Sequence, residues 1–179
     1  AFVYTLPFGA GRKWANTDRA ARAILGGWQT NGILTGMSGT PLFPSQTGQY
    51  INTPFTGQVP DFAGRLTMTK GTVPGQQWFN TTAFTPNQTG NIGNGGRGLS
   101  WLRGPGLAQL DFSAFRNFKL SERFKLEMRL ETLNFTNTPH WNNPNMSCSI
   151  VNGVCGGNFG QITGAFGQRI IQLGAQLSF

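Results

Sequence analysis

Charged residues are scarce in this sequence: only 11% of its 179 residues are Asp, Glu, Lys or Arg. Such a surface is unusual for a cytoplasmic globular protein, which suggests that part of the molecule faces something other than water. The shortage of acids, six in all, also accounts for the net charge of +8. The basic residues fall into one loose group (Arg12, Lys13, Arg19 and Arg22) and another from Arg116 to Arg129, with the rest as singletons. We therefore expect no nucleic-acid partner, since that function needs a clustered basic patch.

Long apolar runs and a start signal are also absent. No stretch approaches the ~18 apolar residues of a membrane-spanning helix, and the first residues lack the charged start and apolar run of a secretory signal. The chain begins with alanine and not with methionine. We expect either that processing removed an upstream segment or that this is the tail of a longer protein.

Cysteine occurs only twice, at Cys148 and Cys155, on either side of an Asn152–Gly153 turn signal. Two thiols this close favour a small disulfide-closed loop in an oxidising compartment over a metal pair. A strict two-residue Asn-Gly hairpin would pair Val151 with Val154 and leave the cysteines out of register. The sequence therefore predicts a wider loop between them.

Alternation with a period of two residues is the main structural signal. In the final stretch RIIQLGAQLSF, every second side chain from Ile171 to Phe179 is apolar, and the residues between them, Gln172, Gly174, Gln176 and Ser178, are uncharged polar residues or glycine. Phe115 and Arg116 interrupt an otherwise similar run further upstream. The pattern predicts five strands, at about 1–7, 23–38, 107–120, 123–137 and 168–179, and a short helix over Asn16–Ala23.

The connections between these strands differ greatly in length. Ser121–Arg123 is a tight turn, whereas the segments after the second and fourth strands are long and rich in Gly, Pro, Asn and Thr. Because antiparallel neighbours alternate direction, the long loops gather at one end of the sheet. Long two-faced strands with this loop asymmetry are typical of a transmembrane β-barrel. The fold class predicted is thus all-β, an antiparallel up-and-down meander forming part of such a barrel, with lipid-facing side chains at Leu110, Phe112, Leu126, Met128 and Leu130.

A soluble β-sandwich is the alternative, because its strands alternate in the same way when one face packs on a partner sheet. It would make this protein a secreted carbohydrate-binding or adhesion module. Sandwich strands are usually shorter, about five or six residues, with turn signals every ~8–12 residues. The pattern therefore favours the barrel.

Motifs for catalysis or cofactor binding are weak. Gly93–Gly98 spells GxGxxG but lies in a Gly/Asn-rich loop and not between a strand and a helix. Glu127 and Glu131 share a strand face, yet Lys125 and Arg129 alternate with them, which indicates a charge ladder more than an acid–base pair. His140 is the only histidine, so zinc would lack ligands. We expect no enzyme activity, cofactor or metal.

Aromatic residues have two possible roles. Those at strand ends could form the girdle of a barrel at the headgroup level; the candidates are Trp28, Trp101, Phe118, Phe124, Phe135 and Trp141. Those in the loops, Trp78, Phe79, Phe84 and Trp141, could contact a ligand. The alternative is that the loop aromatics only anchor their loops.

Several blocks of the sequence resemble one family in chain order. They are YTLPFGAGRKW, ILGGWQTNGILTGMSGTPL, WFNTTAF, the stretch from Leu102 to Asn145, and FGQITGAFGQRIIQLGAQLSF. Together they cover essentially the whole chain and resemble the C-terminal end of TonB-dependent outer-membrane receptors, most closely the Oar-like group that carries a carboxypeptidase-regulatory-like domain. The resemblance implies that residues 1–179 are a C-terminal barrel segment, a fragment without the plug and most of the strands.

The resemblance also implies an orientation, an assembly signal and partners. Gly39–Gly106 and Pro139–Gly167 would lie outside the cell and Ser121–Arg123 in the periplasm. The last strand would present an assembly signal to the barrel-assembly machinery through Leu173, Ala175, Leu177 and Phe179. Further partners would be outer-membrane lipid, the rest of the barrel and its plug, and the TonB complex acting through that plug. The function implied is import of a bulky nutrient across the bacterial outer membrane.

Overall fold

A computed structural model describes residues 1–15, 17, 19–47, 58–87, 90–96 and 99–179. The helix α1 (Arg19–Leu25) lies between the first two strands, and a 3-10 turn (Thr81–Ala83) precedes the fifth. No helix of the described residues is long and apolar enough to cross a membrane. The strands in chain order are β1 (Phe2–Thr5), β2 (Trp28–Met37), β3 (Ser45–Thr47), β4 (Asp61–Phe62), β5 (Phe84–Thr85), β6 (Leu107–Lys119), β7 (Lys125–Leu133), β8 (His140–Trp141), β9 (Ser147–Val151), β10 (Val154–Gly156), β11 (Ala165–Phe166) and β12 (Ile170–Ser178).

The largest sheet has five strands in the order β1-β2-β6-β7-β12. The pairings β1–β2, β6–β7 and β7–β12 are antiparallel, so the sheet is an open meander, and the predicted fold class is confirmed. Each strand lies within a predicted one, with shorter ends. β2 starts only at Trp28 because α1 runs to Leu25 and Gly27 adopts a left-handed φ of 78°. Of the predicted helix, Asn16 and Asp18 lie outside the described residues.

Register determines the two faces of this sheet. Leu130 of β7 lies opposite Leu173 of β12 and Ala114 of β6, while Glu131 lies opposite Gln172 and Ser113. Because directly opposed residues share a face, the apolar sides of all three strands coincide. The apolar face carries Leu110, Phe112, Ala114 and Phe118 of β6, Leu126, Met128 and Leu130 of β7, and Ile171, Leu173, Ala175 and Leu177 of β12.

The apolar face is not the centre of a sandwich. Leu173 is 83% exposed, Ile171 58%, Leu177 52% and Met128 45%, whereas Leu110, Phe112, Phe118, Leu126 and Leu130 are half-buried. A sandwich would bury these groups between two sheets. An apolar face that is accessible along two long strands is the arrangement that a lipid environment stabilises.

The chain divides into two compact units. The sheet unit comprises Ala1–Gly36, Ala108–Thr138 and Gly167–Phe179, and the loop unit comprises Met37–Leu107 and Pro139–Phe166. The described residues that were predicted to form outer loops thus belong to the loop unit, except Gly167. Within it, β3 pairs in parallel with β9, and this joins the first long segment to the second.

Hydrophobic side chains from both segments form the core of the loop unit. Phe79 and Phe84 come from the first segment and Phe159 from the second, and each is at most 2% exposed. Their ring centroids are 5.5–5.7 Å apart in edge-to-face contacts, a favourable geometry for aromatic pairs. The other buried hydrophobic residues of this core are Leu42, Ala83, Leu99, Leu102, Cys148 and Ile162.

Candidate functional site

The polar face of the sheet carries an ionic ladder on β7. Arg129 donates to Glu127 Oε1 from Nη2 at 2.7 Å and to Glu131 Oε1 from Nη1 at 3.3 Å. These residues are two apart on the strand and therefore share a face. Across on β6, the guanidinium of Arg129 lies 5.9 Å from the ring centre of Phe115, its register partner. Both carboxylates bind the guanidinium of Arg129, as expected of a charge ladder on a water-exposed face.

Uncharged polar groups extend this face over the neighbouring strands. Ser113 of β6 donates its hydroxyl to Asn31 Oδ1 of β2. On β12, Gln172 lies opposite Glu131 and Gln176 opposite Glu127. The surface therefore alternates ions, amides and hydroxyls across four strands, which suits contact with water, polar protein or a polar solute.

Arg116 places a charged side chain on the apolar face of β6. It lies opposite Met128, and its guanidinium is 4.2 Å from the ring centre of Phe118, the next residue of β6 on the same face. Nη1 donates to the carbonyl of Ile24 in α1 at 2.7 Å. The side chain thus extends along the ring of Phe118 and places its charge at the end of the sheet where the Ser121–Arg123 turn joins β6 to β7, here called the short-turn end. Basic side chains near a membrane interface extend in the same way. The sequence shows that the alternation breaks at Phe115 and Arg116. It does not predict the hydrogen bond between Arg116 and Ile24, because α1 is distant in sequence.

A buried asparagine fixes the end of β7. Asn134 is 2% exposed and has a φ of 49°, which ends the predicted fourth strand earlier than residue 137. Its Oδ1 accepts the amide of Thr138 at 3.0 Å, Nδ2 donates to Gly167 O, and its own amide donates to Asp111 Oδ1 at 2.9 Å. These hydrogen bonds connect the end of β7 to Asp111 within β6 and to Gly167 just before β12. Sequence reasoning missed this residue, although Asn is the non-glycine residue most suited to a left-handed turn.

The loop aromatics divide into two groups. Phe79 and Phe84 are buried in the core of the loop unit, and Trp78 packs against that core while its indole donates to Arg103 O at 2.8 Å. These positions favour the anchoring role for the three side chains. Trp141 is half-buried and lines a pocket of about 300 Å³ together with Thr40, Asn142, Asn143 and Phe166. It is the loop aromatic that a ligand could contact.

The structure contains the disulfide Cys148–Cys155, but the predicted wider loop is wrong. Asn152 and Gly153 form a two-residue turn with φ of 52° and 79°, and Val151 pairs with Val154. Cys155 therefore faces Ile150, and Cys148 lies two residues along the same face. The diagonal Cα–Cα distance is 4.8 Å, inside the usual range of about 4.4–6.8 Å. A wider loop is not required, because Cys148 and Ile150 are two residues apart and share a face, which brings Cys148 close to Cys155.

Removal of this disulfide is expected to loosen the hairpin of β9 and β10. Closing so short a loop contributes about 2–3 kcal/mol in the chain-entropy account, and Cys148 is fully buried in the core of the loop unit. Hydrogen exchange at Ser147–Gly156 should accelerate in a Cys148→Ala/Cys155→Ala variant. Reducing agent should have the same effect on the parent protein and none on the variant, and an unchanged exchange rate on reduction would contradict the expectation.

The glycine-rich motif and the histidine of the sequence both lie in the loop unit. Gly93 and Gly95 approach the backbone of Val59 and Pro60 too closely to admit a side chain, whereas Arg97 and Gly98 of the GxGxxG stretch lie outside the described residues. Within the described residues, no three His, Cys, Asp or Glu side chains gather as a metal site would require. His140 is buried against Phe166 in the loop unit.

The predicted assembly signal lies on the last strand of the sheet. Leu173, Ala175 and Leu177 project from the apolar face of β12 opposite Leu130, Met128 and Leu126, and all nine residues of β12 are exposed. Phe179 follows the strand and is 96% exposed. Their role in assembly stays a prediction.

Comparison with known proteins places this architecture in a family. The profile of the outer membrane beta barrel domain matches residues 1–172. No curated protein and no solved structure matches the chain significantly. The matched region includes all of β1 to β11 and the start of β12, and the two-faced sheet described above agrees with it. The chain therefore belongs to the outer membrane β-barrel domain family, and its place is the bacterial outer membrane.

Proposed function

We propose that this chain forms wall strands and outer loops of a TonB-dependent transporter that imports a bulky nutrient. The observation that carries the proposal is the open, two-faced sheet. β1 and β12 are its edges, and unpaired edges are unstable in hydrocarbon. Five strands are also too few for a barrel, which takes about eight or more. The barrel must gain further strands, and a wide barrel leaves room for a plug and a large solute.

The polar face supports the same proposal. Its ions, amides and hydroxyls span β2, β6, β7 and β12, as the lumen of a wide barrel requires. The Glu127–Arg129–Glu131 ladder is at least partly exposed, so its groups can exchange partners with a plug or a passing solute. The chain would supply surface only, with no catalytic step, and energy coupling would come through a plug and the TonB complex.

The loop unit would supply the outer binding surface. Loops on a rigid scaffold commonly carry recognition, and the pocket beside Trp141 offers an aromatic side chain with the amides of Asn142 and Asn143. The exposed apolar face of β12 would serve in recognition by the barrel-assembly machinery. Siderophores, oligosaccharides and peptides are the substrate classes to be compared.

Uptake by whole cells tests this proposal. Cells that produce the full-length protein should take up one labelled solute from a panel of ferric siderophores, oligosaccharides and peptides, and a gene deletion should abolish that uptake. A protonophore, or loss of the TonB complex, should abolish it equally because transport is energised. Diffusion of a small porin solute serves as the control. Uptake that persists without energy would indicate a passive channel and contradict the proposal.

A further inference from the structure

Four arginines line one pocket at the short-turn end of the sheet unit. Arg12, Arg19, Arg22 and Arg116 surround a volume of about 520 Å³ next to α1. The remaining lining residues are uncharged: Phe8, Ala10, Ala23, Gly26, Gly27 and Asn117. Among the described residues, the ion pairs are those of Arg129 with its two glutamates, so no described carboxylate neutralises this pocket. A concave site with four positive charges attracts an anion.

The pocket is partly built and not merely a set of mobile side chains. Arg116 is held by Phe118 and by the carbonyl of Ile24, which also accepts the indole N–H of Trp28 at 2.9 Å. One nitrogen of Arg116 is used in that bond, and its guanidinium retains further donors. Arg22 and Arg116 are half-buried, whereas Arg12 and Arg19 are exposed. Phosphate is the anion best matched to several guanidinium groups, since each can donate two parallel hydrogen bonds.

The surroundings of the pocket indicate that a lipid carries this phosphate. Arg116 projects from the apolar face, so the pocket opens where the lipid-facing surface ends. Beside it, Ile24 is 67% and Leu25 46% exposed on α1. Apolar and basic side chains on one short segment suit the boundary between acyl chains and headgroups. Free phosphate would gain nothing from these apolar neighbours.

We propose that Arg12, Arg19, Arg22 and Arg116 bind the phosphate group of a membrane phospholipid at the short-turn rim of the barrel. In the orientation of the proposed function this rim faces the periplasm, where the leaflet is made of phospholipid. The lipid class rests on that orientation, while the phosphate site itself rests on the arginines. The bound lipid would cover the surface beside α1, where Gly26 and Gly27 separate the helix from β2.

Native mass spectrometry of the full-length protein tests this site. The protein is released from nanodiscs of phosphatidylcholine with a minority of phosphatidylglycerol, and retained phosphatidylglycerol is counted. An Arg19→Gln/Arg22→Gln variant should retain about tenfold less, given the strength of charge-assisted bonds to phosphate. Arg65→Gln, which removes an exposed arginine of the loop unit, is the matched control and should retain the parent amount.

Three results would overturn the inference. Equal retention by the double variant and the Arg65→Gln control would show that the pocket holds no lipid. Displacement of phosphatidylglycerol by millimolar inorganic phosphate would reassign it as a free-anion site. Stronger retention of lipid A than of phosphatidylglycerol would place this rim at the outer leaflet. Uptake measurements are independent of all three, so the transport proposal and the lipid site can fail separately.

Discussion

Replacing Phe79 with alanine is expected to unfold the loop unit while the sheet remains. Phe79 is fully buried and contacts the rings of Phe84 and Phe159. Truncation of a buried phenylalanine costs about 3–5 kcal/mol, which is a large fraction of the stability of a small folded unit. Trypsin should then cut at Arg65, Lys70 or Arg103 in the variant and spare them in the parent protein.

The control for this experiment is Phe43→Ala. Phe43 lies in the same unit but is 54% exposed, so its replacement should change stability by no more than about 0.5 kcal/mol. Heat-modifiable migration of the full-length barrel should be unchanged in both variants. If the Phe79 variant resists trypsin as well as the Phe43 variant does, the aromatic cluster is not the centre of the unit.

Placing a charge on the apolar face should have the second large effect. Leu173 lies near the middle of β12, projects from the apolar face and is 83% exposed. In water, Leu173→Arg would change stability by about 0.5 kcal/mol at most. At the centre of a bilayer the same change costs about 2–4 kcal/mol. Urea unfolding of the full-length protein in lipid vesicles measures the difference, without the assembly machinery.

Gln172→Arg provides a matched comparison for this variant. Gln172 is the adjacent residue of β12 and lies on the polar face opposite Glu131. Its replacement introduces the same side chain at nearly the same depth but toward the lumen, where we expect a change within about 0.5 kcal/mol. Equal destabilisation by the two substitutions would mean that the two faces do not differ in environment.

The five strands of the sheet could be predicted because their signal is local. Leu126, Met128 and Leu130 of β7 recur at every second residue wherever the strand pairs, and so do Leu173, Ala175 and Leu177 of β12. Alternation therefore identifies the face without knowledge of the partner. The predicted strand ends were less accurate than the predicted faces. Gly27 and Asn134 adopt left-handed backbone that stops a strand, and a count of apolar residues does not detect this.

The loop unit and the basic pocket could not be predicted in the same way. Phe79 and Phe159 meet across a long sequence separation without any periodicity to mark them. Arg22 and Arg116 line the same pocket although α1 and β6 are distant in the chain, so the sequence presented them as dispersed cations. The disulfide shows an intermediate case. Composition identified the pair Cys148 and Cys155, but not the diagonal geometry that joins them over a two-residue turn.

The parallel pairing of β3 with β9 has a consequence for the evolution of this protein. Ser45 and Thr47 of the first loop segment lie beside Ser147 and Ser149 of the second, and the aromatic cluster likewise draws on both. Recombination between related genes that exchanged only one segment would combine two halves of the core that do not fit each other. We therefore expect the two segments to be inherited together, so that new binding specificities arise by transfer of the pair or by point changes on its surface.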